Sequence, residues 1–175
     1  MTSEIKRDID KCAENIVQLL LMQNKKVASA ESCTGGLISA AITSVSGSSA
    51  VFDMGICTYS NRIKHDKISV PSEYLEKFGA VSEQVAMSMA EGVVNAAESD
   101  FGISVTGIAG PSGGTEDKPV GTVWIGIGQK GFPPKAKCFH FKTDDCPSDM
   151  TEREYIRLQA AFAALKLLES ELKLQ

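Results

Sequence analysis

Between Glu4 and Met22, apolar residues recur as Ile5, Ile9, Cys12, Ile16, Leu19 and Leu20. That i, i+3, i+4 spacing gathers them on one side, so the chain is predicted to open with an amphipathic helix that packs and does no chemistry. After the polar pair Lys25-Lys26, Val27 to Ala30 is a short strand candidate, and Leu37 to Val45 returns to a helix-like pattern. Between them lies the turn Glu31-Ser-Cys-Thr-Gly-Gly36, so the implied order is strand, tight turn, helix. Val51 to Tyr59 reads as a second strand and Pro71 to Phe78 as a short helix stopped by Gly79. Ser82 reads as the N-cap of a helix running to about Glu98, with Glu83 in its first turn to suit the dipole.

Phe101 to Thr106 is a third strand candidate, and Gly107 to Gly121 is too rich in Gly and Pro to be regular. A loop of that length in a compact domain is usually functional or disordered. Thr122 to Ile127 and Ala136 to Phe141 read as antiparallel strands joined by a turn through Gly131 and Pro133-Pro134. A last helix from Thr151 to about Leu174 carries Ile156, Ala160, Ala163, Leu167 and Leu168 on one side. Mixed strands with helices on their faces predict a layered α/β/α sandwich, without internal repeats. With 175 residues, 43% of them hydrophobic and 23% charged, the chain suits one domain, residues 1–175, with a real core.

The N-terminus is charged, and the longest nearby apolar run, Leu19 to Met22, is far too short for a signal peptide or a membrane span. Five cysteines, Cys12, Cys33, Cys57, Cys138 and Cys146, are scattered and never form a C-x-x-C pair, which argues against a disulfide framework and a zinc site. Reduced thiols in a cytoplasmic protein fit that pattern. A net charge of −4, with no basic run interleaved with aromatics, makes nucleic acid a poor partner. Exposed strand edges in such a sandwich favour self-association into a homo-oligomer.

Candidate chemistry begins at Ser32-Cys33-Thr34-Gly35-Gly36. A strand-to-helix turn offers unpaired N–H groups and a favourable dipole, so a nucleophile there would have an oxyanion site beside it. Ser and Thr are also the common capping residues, and capping alone is the plain alternative. Lys64 is the available base if Ser32 is the nucleophile, because a desolvated lysine loses its proton readily; a solvated surface lysine is the alternative. Cys33 with His65 or His140 as base is a further arrangement, set against a small buried thiol. The Gly107 to Gly121 loop has the amides to wrap a phosphate or ribose, yet it lacks Gly-Lys-Ser/Thr and a plain Ω-loop explains it equally. Gly126-Ile-Gly-Gln-Lys-Gly131 matches G-x-G-x-x-G, but Phe132-Pro133-Pro134 follows where a dinucleotide fold needs a helix. Arg153 and Arg157, at i, i+4 in the last helix, suit a phosphate clamp or a surface network with Glu152 or Glu154. No histidine or carboxylate cluster has metal-ligand spacing, so a catalytic metal is not required.

Ala30-Glu-Ser-Cys-Thr-Gly-Gly36, Gly47-Ser-Ser-Ala50, Thr58-Tyr-Ser-Asn61 with Lys64, Gly79-Ala-Val-Ser82, Gly107-Ile-Ala-Gly-Pro111, Gly113-Gly114 and Lys118-Pro-Val-Gly-Thr-Val-Trp124 follow one another in order. Together these blocks resemble the C-terminal CinA family. Characterised members convert nicotinamide mononucleotide to nicotinate mononucleotide and ammonia, so the resemblance implies a small-molecule amidohydrolase with no cofactor. It implies Ser32 as nucleophile and Lys64 as its base, and Tyr59 and Thr34, with Gly107, Gly110, Gly113, Gly114, Arg153 and Arg157, would line the substrate pocket. On that working hypothesis backbone N–H groups near Thr34, Gly35 and Gly36 would hold the oxyanion. The family's usual Gly-Asp-Arg is here Thr151-Glu152-Arg153, preceded by an inserted Asp144-Asp-Cys-Pro-Ser-Asp149. A silent nucleotide-binding or regulatory relative is the alternative that this change allows.

Overall fold

The structure, a computed structural model, describes residues 4–174. Helix α1, Glu4–Gln23, buries Ile9, Cys12, Ala13, Ile16, Val17 and Leu20. Asn24 ends it by adopting a left-handed φ of 52°, which Asn tolerates well, while the Lys25 amide donates back to the Leu20 carbonyl. Strand β1, Val27–Glu31, follows and is buried along its whole length. After it come α2 (Leu37–Thr43), β2 (Phe52–Cys57), α3 (Asn61–Ile68), α4 (Ser72–Phe78) and α5 (Glu83–Ala97). The chain finishes with β3 (Phe101–Gly107), β4 (Thr122–Gln129), β5 (Phe132–His140) and α6 (Glu152–Leu172).

One sheet runs in the order β2-β1-β3-β4-β5. Its first three strands are parallel, and β4 and β5 are antiparallel additions, so the sheet is mixed as expected. Helices α1, α2 and α6 cover one face, where Val27, Phe101, Ile103, Val105, Val123 and Ile125 meet them. Helices α3, α4 and α5 cover the other, where Ala28 and Ala30 meet Ile68, Val70, Val85, Met89 and Val93. The alternation along β1 and β3 is that of strands between two helical layers.

Helix α5 lies unusually close to the sheet. A Cβ on Gly102, Gly126 or Gly128 would stand 2.5, 2.5 or 2.7 Å from the Ala90, Ala86 or Ala90 carbonyl oxygen, respectively. The Ser104 hydroxyl, between them, donates to the Ala86 carbonyl at 2.6 Å. Gly126 and Gly128 of the G-x-G-x-x-G match therefore sit in β4 and let a helix approach, while Gly131 lies in the turn that leads to β5 instead of a helix.

Four local expectations shift. Helix α3 was absent from the pattern reading, because its only buried residues are Lys64 and Ile68. Strand β5 starts at Phe132, not Ala136, with Pro133-Pro134 inside it. Proline is acceptable there because β5 is an edge strand with only β4 beside it. Helix α6 is buried over a wider face than one stripe: Leu158, Ala161, Ala164, Leu165 and Leu172 are buried with Ile156, Ala160 and Leu168, while Ala163 and Leu167 are only partly covered. It packs on α1, α2 and the sheet at once. Ser82 precedes α5 without a side-chain cap, its hydroxyl donating instead to the Gly79 carbonyl.

From β1 the chain moves outward to β2, then crosses back to place β3 on the other side of β1. The carboxyl ends of β1 and β3 are thus a topological switch point, where the exiting loops part and leave a crevice. Ser32 follows β1 and Gly107 ends β3.

Candidate active site

The crevice at that switch point is a cleft of about 350 Å³, and Ser32, Cys33, Tyr59, Lys64, Thr106, Gly107, Gly110, Gly113 and Arg153 are among its lining residues. Ser32 and Lys64, thirty-two positions apart in sequence, meet here, with Lys64 Nζ 3.2 Å from Ser32 Oγ.

Lys64 reaches that position through α3. Ser60 caps the helix, its Oγ accepting from the Ile63 amide at 3.3 Å, and the first turn directs Lys64 inward with Ile68. The lysine is 1% exposed. Its Nζ also donates to the Thr58 carbonyl at 2.6 Å and lies 3.5 Å from the Tyr59 carbonyl, and it pairs with no carboxylate among the described residues. Burial without a counter-charge disfavours the ammonium and lowers its pKa from the ordinary 10.5 to about 8, against an opposing pull from Cys33.

Ser32 is held from several directions. Its amide donates to the Val105 carbonyl of β3 at 2.9 Å, and its carbonyl accepts from the Gly35 amide at 3.1 Å. The residue before it, Glu31, is fully buried and turns its carboxylate onto the start of α2. There it accepts from the amides of Gly36, Ile38 and Ser39 at 2.9, 3.1 and 2.9 Å, and from the Ser39 hydroxyl at 2.7 Å. Glu31 therefore caps α2, and the serine and threonine of the turn do not. No capping signal marked it, because this carboxylate precedes the helix by six positions instead of one to three.

The oxyanion expectation changes accordingly. The Gly36 amide already serves Glu31 and the Gly35 amide serves Ser32, so neither is open to substrate. The Cys33 amide meets no acceptor but its own thiol and the Thr34 amide meets none; Thr34 is fully buried behind the cleft lining, and its hydroxyl has no partner. The two arginines also divide. Arg153 lies at the cleft, donating to the Gly110 carbonyl and, at 3.3 Å, to the Tyr59 hydroxyl. Arg157 does not line the cleft; its Nε and Nη2 donate to the carbonyls of Cys33 and Thr34 at 3.0 and 2.8 Å. Neither arginine pairs with Glu152 or Glu154.

The loop from Gly107 to Gly121 is pinned at its neck, where the Ile108 amide donates to the Thr122 carbonyl at 2.9 Å and the Gly121 amide to the Ile108 carbonyl at 2.8 Å. Lys118 Nζ ties it to the end of α4 through the Phe78 carbonyl at 2.8 Å. It is an Ω-type loop whose first half, through Gly113, faces the cleft, while Gly114 does not line it. The Cys33 arrangement fails on two counts. Burial pushes that thiol up to about 12, and both histidines are engaged elsewhere, His65 with the Val70 carbonyl and His140 with Thr122 and Cys138. Among the described residues there is no cluster of metal-ligating side chains and no helix long and apolar enough to cross a membrane.

Comparison with known proteins bears on the family and the fold. The model of the CinA C-terminal domain family matches residues 9–172. Nicotinamide-nucleotide amidohydrolase PncC of Enterobacter agglomerans is 51% identical over 140 residues, 80% of this chain and 80% of that protein. A putative competence-damage inducible protein of Clostridium novyi is 45% identical over 159 residues, which are 91% of this chain and 36% of the relative. The chain thus spans about a third of that longer protein's length. The crystal structure of the competence/damage inducible protein CihA from Agrobacterium tumefaciens superposes with a TM-score of 0.86 at 39% identity, covering 95% of this chain and 96% of that one.

Proposed function

The chain belongs to the CinA C-terminal domain family, and from that premise we propose that it hydrolyses the carboxamide of nicotinamide mononucleotide to nicotinate mononucleotide and ammonia. Ser32 is the nucleophile and Lys64 its general base. The observation that carries this reading is a buried lysine without a carboxylate partner, whose Nζ stands 3.2 Å from a serine hydroxyl in the switch-point cleft. The name of the Enterobacter agglomerans relative, a nicotinamide-nucleotide amidohydrolase, supports the substrate class.

A neutral amine has two hydrogens and one lone pair. The carbonyls of Thr58 and Tyr59 take the hydrogens, which leaves the lone pair for the Ser32 hydroxyl. With a pKa of about 8, roughly a tenth of Lys64 is neutral at pH 7, against about one in 3,000 for an ordinary lysine. Lys64 accepts the Ser32 proton as Oγ attacks the carboxamide carbon, and the developing oxyanion is met by the free amides of Cys33 and Thr34. Lys64 then gives that proton to the carboxamide nitrogen, the C–N bond breaks and ammonia departs, leaving an ester on Ser32. Water, deprotonated by the same lysine, attacks the ester carbon, and Lys64 returns the proton to Ser32 Oγ as the acid leaves. Arg153 and Tyr59 stand at the mouth, where a cation and a phenol suit the substrate phosphate.

Ser32→Ala is the direct test of the nucleophile. Calorimetry should show nicotinamide mononucleotide still binding to this variant while ammonia release is lost. Wild-type turnover in the variant would remove Ser32 from its role, and binding without turnover in the wild type would favour the silent relative.

A further inference from the structure

Arg157 reaches back from the second turn of α6 to a turn 123 residues earlier in the chain, and both of its bonds go to backbone carbonyls beside Ser32. Such a contact acts on peptide orientation. In a trans peptide the carbonyl and the following N–H point in opposite directions, so fixing one aims the other.

Each bond has that effect. With the Cys33 carbonyl drawn to Arg157 Nε at 3.0 Å, the Thr34 amide is turned the opposite way. With the Thr34 carbonyl drawn to Nη2 at 2.8 Å, the Gly35 amide turns back onto the Ser32 carbonyl at 3.1 Å. That last bond fixes the Ser32–Cys33 peptide and hence the Cys33 amide. Arg157 pulls from outside the cleft, whereas Cys33 and Ser32 line it. Of the two amides so aimed, that of Cys33 meets only its own thiol, and that of Thr34, a fully buried residue, meets no acceptor. Buried donors without partners are uncommon and require an explanation.

Resting on the deamidase reading, we propose that Arg157 is a positioning residue: it orients the Cys33 and Thr34 amides of the nucleophile turn as oxyanion donors and makes no contact with the substrate phosphate. Glu31 anchors the far end of the same turn through α2, so the segment from Ser32 to Gly36 is clamped by an anion at one end and a cation at the other.

The test compares Arg157→Ala and Arg157→Lys with the wild type, using nicotinamide mononucleotide and nicotinamide riboside, which lacks the phosphate. Removing one oxyanion donor typically lowers kcat about 10²-fold to 10³-fold. For Arg157→Ala we expect a fall in kcat of about that order with both substrates, little change in KM, and partial recovery in added guanidinium chloride at non-denaturing concentration. The Lys variant should retain more activity than the Ala variant at equal melting temperature. A raised KM for the mononucleotide with kcat kept, and no effect on the riboside, would make Arg157 a phosphate ligand and overturn the proposal. A second readout does not depend on the substrate assignment. Ser32 Oγ bonds to the phosphorus of a fluorophosphonate as fluoride leaves and the hydroxyl proton passes to Lys64, which sets a phosphonyl oxygen in the oxyanion position, so intact-mass labelling should be slower in Arg157→Ala. Equal labelling rates would reject the positioning role even if the wild type releases no ammonia, the result that would sink the deamidase reading itself.

Discussion

Lys64 occupies a position where the packing of α3 favours an apolar side chain, four residues before the buried Ile68. From its neighbours it is an ordinary lysine in a polar stretch, and nothing short of the fold or the family resemblance shows that it is buried beside Ser32. Its placement has a consequence for stability. Because the folded-state pKa of about 8 lies below the ordinary 10.5, the unfolded chain holds this proton more tightly between those values. Stability contributed by Lys64 therefore rises with pH from about 8 to 10.5, and below 8 the buried ammonium is a net cost on the order of 3 kcal/mol. Denaturant unfolding of Lys64→Met against the wild type measures the difference. The wild type should gain on the variant as pH rises through that window, and parallel curves would show that the lysine is not desolvated.

Helices and strands were legible where residue pattern and packing agree, as in α1, β1, β3 and α5. They were illegible where one element serves another. Glu31 belongs to β1 but caps α2, so no local signal revealed it. Replacing its carboxylate in Glu31→Gln would leave an amide NH2 facing backbone donors, and a loss of about 1–3 kcal/mol is expected by urea unfolding. A loss near zero would mean that the carboxylate does not hold α2. The G-x-G pattern in β4 has a similar origin, since its spacing is set by the approach of α5. Gly126→Ala would drive a methyl group to 2.5 Å from the Ala86 carbonyl oxygen. A cost of about 1–3 kcal/mol follows, or a fall in Tm of roughly 2–12 °C by calorimetry. An unchanged Tm would show that α5 can move away from the sheet freely.

At the scale of the molecule, the mixed sheet and its two helical layers follow from the order of strand and helix signals, and the switch point follows from strand order. Sequence pattern brought Ser32, Cys33 and the Gly107 loop forward as candidates because turns after strands carry their own signatures. Pattern could not bring Lys64 to Ser32, separate Arg153 from Arg157, or show which amides remain free, since these depend on contacts between elements distant in the chain. The central proposal is that a serine just after β1 and a lysine from α3 together deamidate a pyridine mononucleotide. Ammonia release from nicotinamide mononucleotide, measured against pH for the wild type and Lys64→Met, tests that claim most directly. Because the neutral amine is the active form, kcat/KM should climb about tenfold per pH unit and level off above about 8, with no turnover in the variant. A wild type that releases no ammonia, or a Lys64→Met variant that keeps the wild-type profile, would contradict it.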